Sequence, residues 1–367
     1  MSVYPRPILD LFGIDLPIIQ APMLGIVTTD MVIGVAEAGG LGSLPASGLS
    51  AEQTRSIVGE IRRRTPKPLN MNFLCHEAPT RDRRREEAWL QRLTRYYREL
   101  GLTSEQSASG SGSPIPVFGS VHCDLLEEIS PEVVSFHFGL PPKHLLERVR
   151  RTGAKIVSSA TIVEEALWLE DSGCDAIIAQ GFEAGGHRGT FLHRDPTRQV
   201  GLMALVPQIV DAVRVPVIAA GGIADPRGVA AAFALGASGV QVGTAFLFCE
   251  EANVSPLYRE AARSTPPEQT VITNIFTGRP ARVCDTRVVR ELGPIGIDMP
   301  EFPVPAAPLA PLRAASERQG RTDFTPLWCG QSARLGRALS AAALTRWLSD
   351  GQAEPSFGTI GDLRRKS

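Results

Sequence analysis

Eight times along this chain of 367 residues, a short apolar run gives way to a segment with helical spacing or a helix-like charge pattern. The runs cover 18–23, 41–46, 69–74, 133–138, 155–160, 176–181, 215–221 and 239–246. Several are apolar almost throughout, as strands covered on both faces must be. Regular alternation with helices implies a parallel sheet. Eight such units point to an α/β fold closed into a (β/α)8 TIM barrel rather than an open sheet. Helices are expected at 28–38, 142–151, 162–172, 201–213 and 226–235. Ser50 followed by Gln53 predicts a capping box at the start of another, and Arg62-Arg63-Arg64 suits its C-terminus.

The rhythm breaks twice. Residues 80–100 are strongly charged and read as one long helix, followed by a Ser- and Gly-rich loop at 104–113. This stretch is long for a plain β/α connection and reads as an insertion near 76–120. Beyond 250 the alternation stops. Residues 294–311 hold six prolines and read as an extended connector, a last helix is expected at 332–348, and the tail 364–367 reads as a solvated end.

Composition narrows the functional classes. With 38 Lys and Arg against 39 Asp and Glu, the net charge of -1 gives no reason to expect nucleic acid as a partner. None of the six cysteines forms a CxxC pair, so zinc-ribbon and thioredoxin readings fail. Scattered cysteines of this kind read as reduced core residues of a cytoplasmic protein. No apolar run reaches about 18 residues, and the first 17 residues do not read as a signal peptide, so no membrane span is expected. No metal site is expected.

In a TIM barrel the active site lies at the C-terminal ends of the strands. Five groups fall there. Ala21, Pro22 and Met23 leave the first strand. Asn70 and Asn72, two apart on the third, share a face and need partners if buried. After the sixth strand, Gln180, Gly185 and His187 lie in a segment with four glycines in ten residues, and imidazole can exchange a proton or steady an anion near neutral pH. Gly222 follows the seventh strand, and Gln241, Gly243 and Thr244 lie in and after the eighth. Loops after strands seven and eight often bind phosphate in this fold, with backbone N–H groups and the next helix N-terminus as donors. No GxGxxG follows a strand, and GxxxxGK[ST], HExxH and GxSxG are absent. A phosphate-bearing cofactor is the economical inference, and spacing alone does not say which.

Taken in order, QAPM at 20–23, NMNF at 70–73, AQGFEAGGHRG at 179–189, AAGGI at 219–223 and QVGTAF at 241–246 resemble the nitronate monooxygenase family. Leu327-Trp328-Cys329-Gly330-Gln331 resembles a late segment of that family. The resemblance implies an FMN-containing barrel with a smaller, mainly helical substrate domain. The expected division is then a barrel over 1–250, with the insertion near 76–120, and a helical substrate or cap region over 251–367 that returns to the barrel. By the same resemblance, Gly222, Gln241, Gly243 and Thr244 would hold the FMN phosphate region. Ala21, Pro22, Met23, Asn70 or Asn72, Gln180 and Gly185 would line the flavin, with Gln331 also in reach, and His187 would be the active-site histidine. The implied reaction takes an alkyl nitronate of the propionate 3-nitronate type and O2 to a carbonyl compound and nitrite, a detoxification. His187 would either stabilise the nitronate anion or deprotonate a neutral nitroalkane. Two competing readings are an NAD(P)H-dependent flavin reductase acting on a quinone or enoyl thioester, and a non-catalytic phosphate-ligand barrel. The oligomeric state is left open.

Overall fold

The computed structural model describes residues 6–103, 115–193 and 195–350. Eight parallel strands form the central sheet: β1 (Ile18–Gln20), β2 (Gly42–Pro45), β3 (Leu69–Leu74), β4 (Val133–His137), β5 (Lys155–Ala160), β6 (Ala176–Gln180), β8 (Val217–Ala220) and β9 (Gly239–Val242). They hydrogen-bond in the order β1-β9-β8-β6-β5-β4-β3-β2. The free edges meet through a parallel bridge, Ile19 to Leu41, with Gln20 N–H donating to Leu41 O at 3.0 Å and Leu41 N–H to Ile18 O at 2.9 Å. The sheet thus closes into a TIM-barrel-like α/β fold. Helices between the strands cover it, and one apolar core runs from Ile18 and Met31 through Phe136 and Ile177 to Val240.

Local chemistry sets the element ends. Ser50 Oγ accepts from Gln53 N–H at 3.1 Å while Gln53 Oε1 accepts from Ser50 N–H at 2.8 Å, the reciprocal cap that opens helix Ala51–Arg64. The first strand is shorter than expected, stopping at Gln20 two residues before Pro22, which has no N–H to continue a ladder. The last barrel strand also stops early. Gly243 leaves the strand conformation at φ -109°, ψ -76°, and Thr244–Phe248 winds into a 3₁₀ turn instead of extending the strand to 246.

A second core stands beside the first. Helix Arg83–Glu99 contributes Trp89, Leu93, Tyr96 and Tyr97, which pack with Ile275, Phe276, Val288, Leu309, Leu312 and Phe324. Residues from the charged stretch before 100 therefore share a core with residues after 250. A small antiparallel sheet links the two units: β10 (Thr270–Thr273), β11 (Ala281–Cys284) and β7 (Gly186–His187), with Ala281 opposite His187.

Two further elements differ from expectation. The last third of the proline-rich connector is helical, the start of helix Ala306–Arg318. Pro308 falls in its first turn, where a missing N–H costs nothing, and Pro311 is accommodated further in. The final helix is not continuous: a 3₁₀ turn at Ala333–Leu335 is followed by extended chain, and only Ala341–Asp350 is α-helical, packing its Leu344, Trp347 and Leu348 into the barrel core. The Ser- and Gly-rich loop at 104–113 and the tail at 364–367 lie outside the described residues. Among the described residues no helix is long and apolar enough to cross a membrane.

Candidate active site

A cavity of about 530 Å³ opens at the C-terminal ends of the barrel strands. Its size is ordinary for a cofactor or small-ligand site. Ala21, Pro22 and Met23 line it from β1, Asn72 from β3, Gln180, Gly185 and His187 from the β6 loop, Gly222 from β8, and Gln241, Gly243 and Thr244 from β9. Two expected residues are not on its wall. Asn70 points into the barrel like Asn72 but one layer deeper, where its Nδ2 donates to Ser43 Oγ at 2.9 Å. Gln331 meets the β6 loop through its backbone, whose N–H donates to Glu183 O at 3.1 Å, while its neighbours Gly330 and Ser332 line the cavity.

Glycines shape one end of the cavity. Gly221 and Gly222 sit at φ +121° and +68°, a region costly for residues with a Cβ. At Gly185 an added Cβ would lie 2.5 Å from Gly330 N, so the crossing of segment 329–330 requires glycine. Thr244 Oγ1 accepts from Gly330 N–H at 3.0 Å and keeps its own proton to donate. One expected donor set is spent elsewhere. The Asp225 carboxylate caps helix Pro226–Ala234, accepting from Arg227 and Gly228 N–H at 3.0 and 3.3 Å. The 3₁₀ turn opening at Thr244 has no side-chain cap.

His187 is held by both units. Its carbonyl accepts from Gln180 Nε2 at 2.9 Å, and Gln180 Oε1 accepts from Gly189 N–H at 2.8 Å, so one amide pins the loop at two points. Next along the chain, Arg188 N–H donates to Pro280 O at 2.9 Å. The His187 ring nitrogen Nε2 is hydrogen-bonded to Thr277 Oγ1 at 2.8 Å. Phe138, Phe302 and Trp328 surround the ring with centre separations of 5.9, 5.5 and 5.1 Å. Burial, with smaller contributions from His137 and Arg279, pushes the His187 pKa down to about 3. The imidazole is therefore neutral at pH 7. His137, bonded through Nδ1 to Ser159 Oγ at 2.7 Å, is likewise pushed down by burial, to about 4.

Arg188 is fully buried rather than solvated: its Nη2 donates to Gln180 O at 2.9 Å and its Nε to Gln199 Oε1 at 2.7 Å. It fastens the His187 loop, and its charge helps to hold the His137 pKa down. Sequence reasoning missed Thr277 and Phe302, because neither belongs to a strand-end motif. The late segment containing Trp328 was singled out, but its contact with His187 follows only from folding.

Comparison with known proteins decides the family. The nitronate monooxygenase family model matches residues 6–350. The chain belongs to the nitronate monooxygenase family. It is 40% identical over 339 residues to a nitronate monooxygenase of Pseudomonas aeruginosa, covering 92% of this chain and 96% of that one. A nitronate monooxygenase of Paraburkholderia phytofirmans is 39% identical, with 94% of each chain covered. Among solved structures, a nitroalkane oxidase from Streptomyces ansochromogenes is similar at a TM-score of 0.82 and 34% identity, covering 93% of this chain and 96% of that one. This member of the nitronate monooxygenase family is accordingly an oxidoreductase.

Proposed function

We propose that this chain is an FMN-dependent enzyme that oxidises alkyl nitronates with O2 to a carbonyl compound and nitrite. The observation that carries the reading is one cavity that brings glycines at positive φ together with a half-buried, neutral histidine. The resemblance extends the proposal to substrates of the propionate 3-nitronate type, to detoxification and to the cytoplasm.

The residues fit FMN. Gln241 Oε1 is buried without a hydrogen-bond partner, the situation a ring N–H of a cofactor would relieve. A Cβ on Gly243 would stand 3.5 Å from Ala21 Cβ and 3.8 Å from Met23 Sδ, in ordinary contact with two cavity-lining residues. Gly222, Gly243 and Thr244 would hold the phosphate region. Ala21, Pro22, Met23, Asn72, Gln180, Gly185 and Gln241 would line the ring system. When bound, FMN supplies the electron acceptor for the nitronate and the reductant for O2.

The chain supplies the setting. His187, kept neutral and hydrogen-bonded to Thr277, offers its imidazole to the nitronate's charged oxygens. Phe138, Phe302 and Trp328 exclude water around it, which strengthens such a hydrogen bond. A histidine with so low a pKa is a poor base for a carbon-bound proton, so the site suits an anion already formed rather than a neutral nitroalkane. We further propose that the second core, with segments 76–103 and 251–340, is the cap that carries the substrate side of the cavity.

The test is steady-state nitrite release and oxygen uptake by flavin-loaded protein. Nitronates are expected to turn over far faster than the matching neutral nitroalkanes. Equal rates for both forms would contradict the role given to His187, and absence of nitrite would contradict the reaction.

A further inference from the structure

A cation stands close to His187 on the cap side. Arg279 lies in the loop between β10 and β11, two residues after Thr277, whose hydroxyl is hydrogen-bonded to the His187 ring. It comes one residue before Pro280, whose carbonyl accepts from Arg188 N–H at 2.9 Å. Gly278 makes the turn at φ +87°, where a Cβ would collide with Pro300 O, and its N–H donates to Asn274 O at 2.7 Å. The backbone on both sides of Arg279 is therefore tied to the His187 segment.

The guanidinium is fixed as well. Its carbon lies 3.8 Å from the centre of the Phe138 ring, and Nη2 donates to Thr190 O at 2.8 Å. Stacking on an aromatic face holds a guanidinium in place without neutralising it. Phe138 in turn sits at φ +73°, a conformation costly for a residue with a Cβ. It is kept there among His187, His137 and Phe302, whose ring centres are 5.9, 4.6 and 5.7 Å away. Neither Phe138 nor Arg279 is on the cavity wall, so the charge acts across the ring stack rather than by touching a ligand.

Two arginines bear on the potential in the cavity, and they differ. Arg81 lines the wall, but each oxygen of Glu86 accepts from its guanidinium at 2.6 Å and its side chain is 74% exposed. Glu86 and water screen that charge. Arg279 is half-buried, where screening is weaker. Its field is felt at both neighbouring histidines. Burial does most to push the His187 and His137 pKa values down, to about 3 and 4, and the Arg279 charge adds to the shift at each. A potential that disfavours imidazolium favours an anion at the same place.

We infer that Arg279, stacked on Phe138, is a positioning residue for the substrate: its fixed charge draws the nitronate anion to His187 and selects it over the neutral nitro compound. This rests on the nitronate-oxidising reading and adds to it a cation that serves the anion. The attraction is already present when the anion binds, so its loss belongs in KM rather than in kcat.

The experiment compares the unaltered protein with Arg279→Gln and Arg279→Lys, all flavin-loaded. The substrate is n-butyl nitronate, and its neutral parent nitrobutane is the competitive inhibitor. In Arg279→Gln the KM for the nitronate is expected to rise about tenfold, with kcat and the nitrobutane inhibition constant each changed less than about twofold. Arg279→Lys keeps the charge and loses the planar stack, and is expected to bring KM back to within about threefold. Arg279→Met serves if the glutamine variant does not fold. A guanidinium that only braces the loop gives another pattern: nitronate and nitrobutane weaken together, and lysine does not rescue. That pattern overturns the inference, as does an unchanged KM in Arg279→Gln, and both leave the nitronate reading intact. Failure of the unaltered protein to oxidise any nitronate overturns that reading, and the inference with it.

Discussion

The two sides of the cavity are built in different ways. The barrel side comes from strand ends, where glycines, amides and small residues sit at positions set by the β/α repeat. The cap side comes from long-range packing: Thr277 bonds His187 across 90 residues of sequence, and Phe302 and Trp328 arrive from still further along the chain. The barrel side mixes amides and glycines with small and aliphatic residues. The cap side is aromatic and aliphatic, suited to keeping water out. His187 stands at the seam, anchored by Gln180 on one side and paired with Ala281 on the other. Binding the cofactor and turning over the substrate should therefore be separable by mutation.

The strongest separation is expected at the seam. His187→Asn removes the imidazole but keeps the backbone carbonyl that Gln180 holds, so bound flavin should be retained while kcat for a nitronate falls about 10²–10⁴-fold. Absorbance of the purified variant together with nitrite release reads both. Gly222→Val should do the reverse. A branched residue at φ +68°, with its Cβ 3.2 Å from Glu183 Cβ, distorts the cradle, and flavin retention after gel filtration should drop at least about tenfold.

A pH effect on stability probes how well the seam is sealed. His187 and His137 are pushed down to about 3 and 4 in the folded protein, against about 6.5 in an unfolded chain. Between those values the unfolded state binds more protons, so stability is lost as pH falls below about 6.5. Each histidine should cost about 2 kcal/mol by about pH 5, with the loss levelling off near each folded pKa. Denaturant titrations at a series of pH values measure the slope, and His187→Asn should flatten it by its own share. The smallest effect is expected on the cap side. Thr277→Val leaves the cavity shape and removes one hydrogen bond to His187, so kcat should fall only about three- to tenfold with flavin content unchanged.

The same contrast explains what could be read from the sequence. The eight strands and the residues at their ends were legible because apolar runs and glycine-rich exits are local signals. Gly222, Gln241, Gly243 and Thr244 all line the cavity. Asn70 was misplaced by one barrel layer, since period-two spacing gives the face of a strand and not its depth. The N-terminus of the helix expected at 226–235 is not free to donate, because Asp225, adjacent in sequence, already occupies it. Helix Ala306–Arg318 was hidden by its prolines, two of which fall within the helix. Thr277 and Phe302 carried no signal, because only the packing of the second core brings them to His187.

The most direct test of the account is an anaerobic absorbance titration of the flavin-loaded protein, with an alkyl nitronate in one cuvette and NADPH in another. The flavin spectrum is expected to change with the nitronate and to stay unaltered with NADPH. Bleaching by NADPH with no response to the nitronate would contradict it and make the chain a flavin reductase.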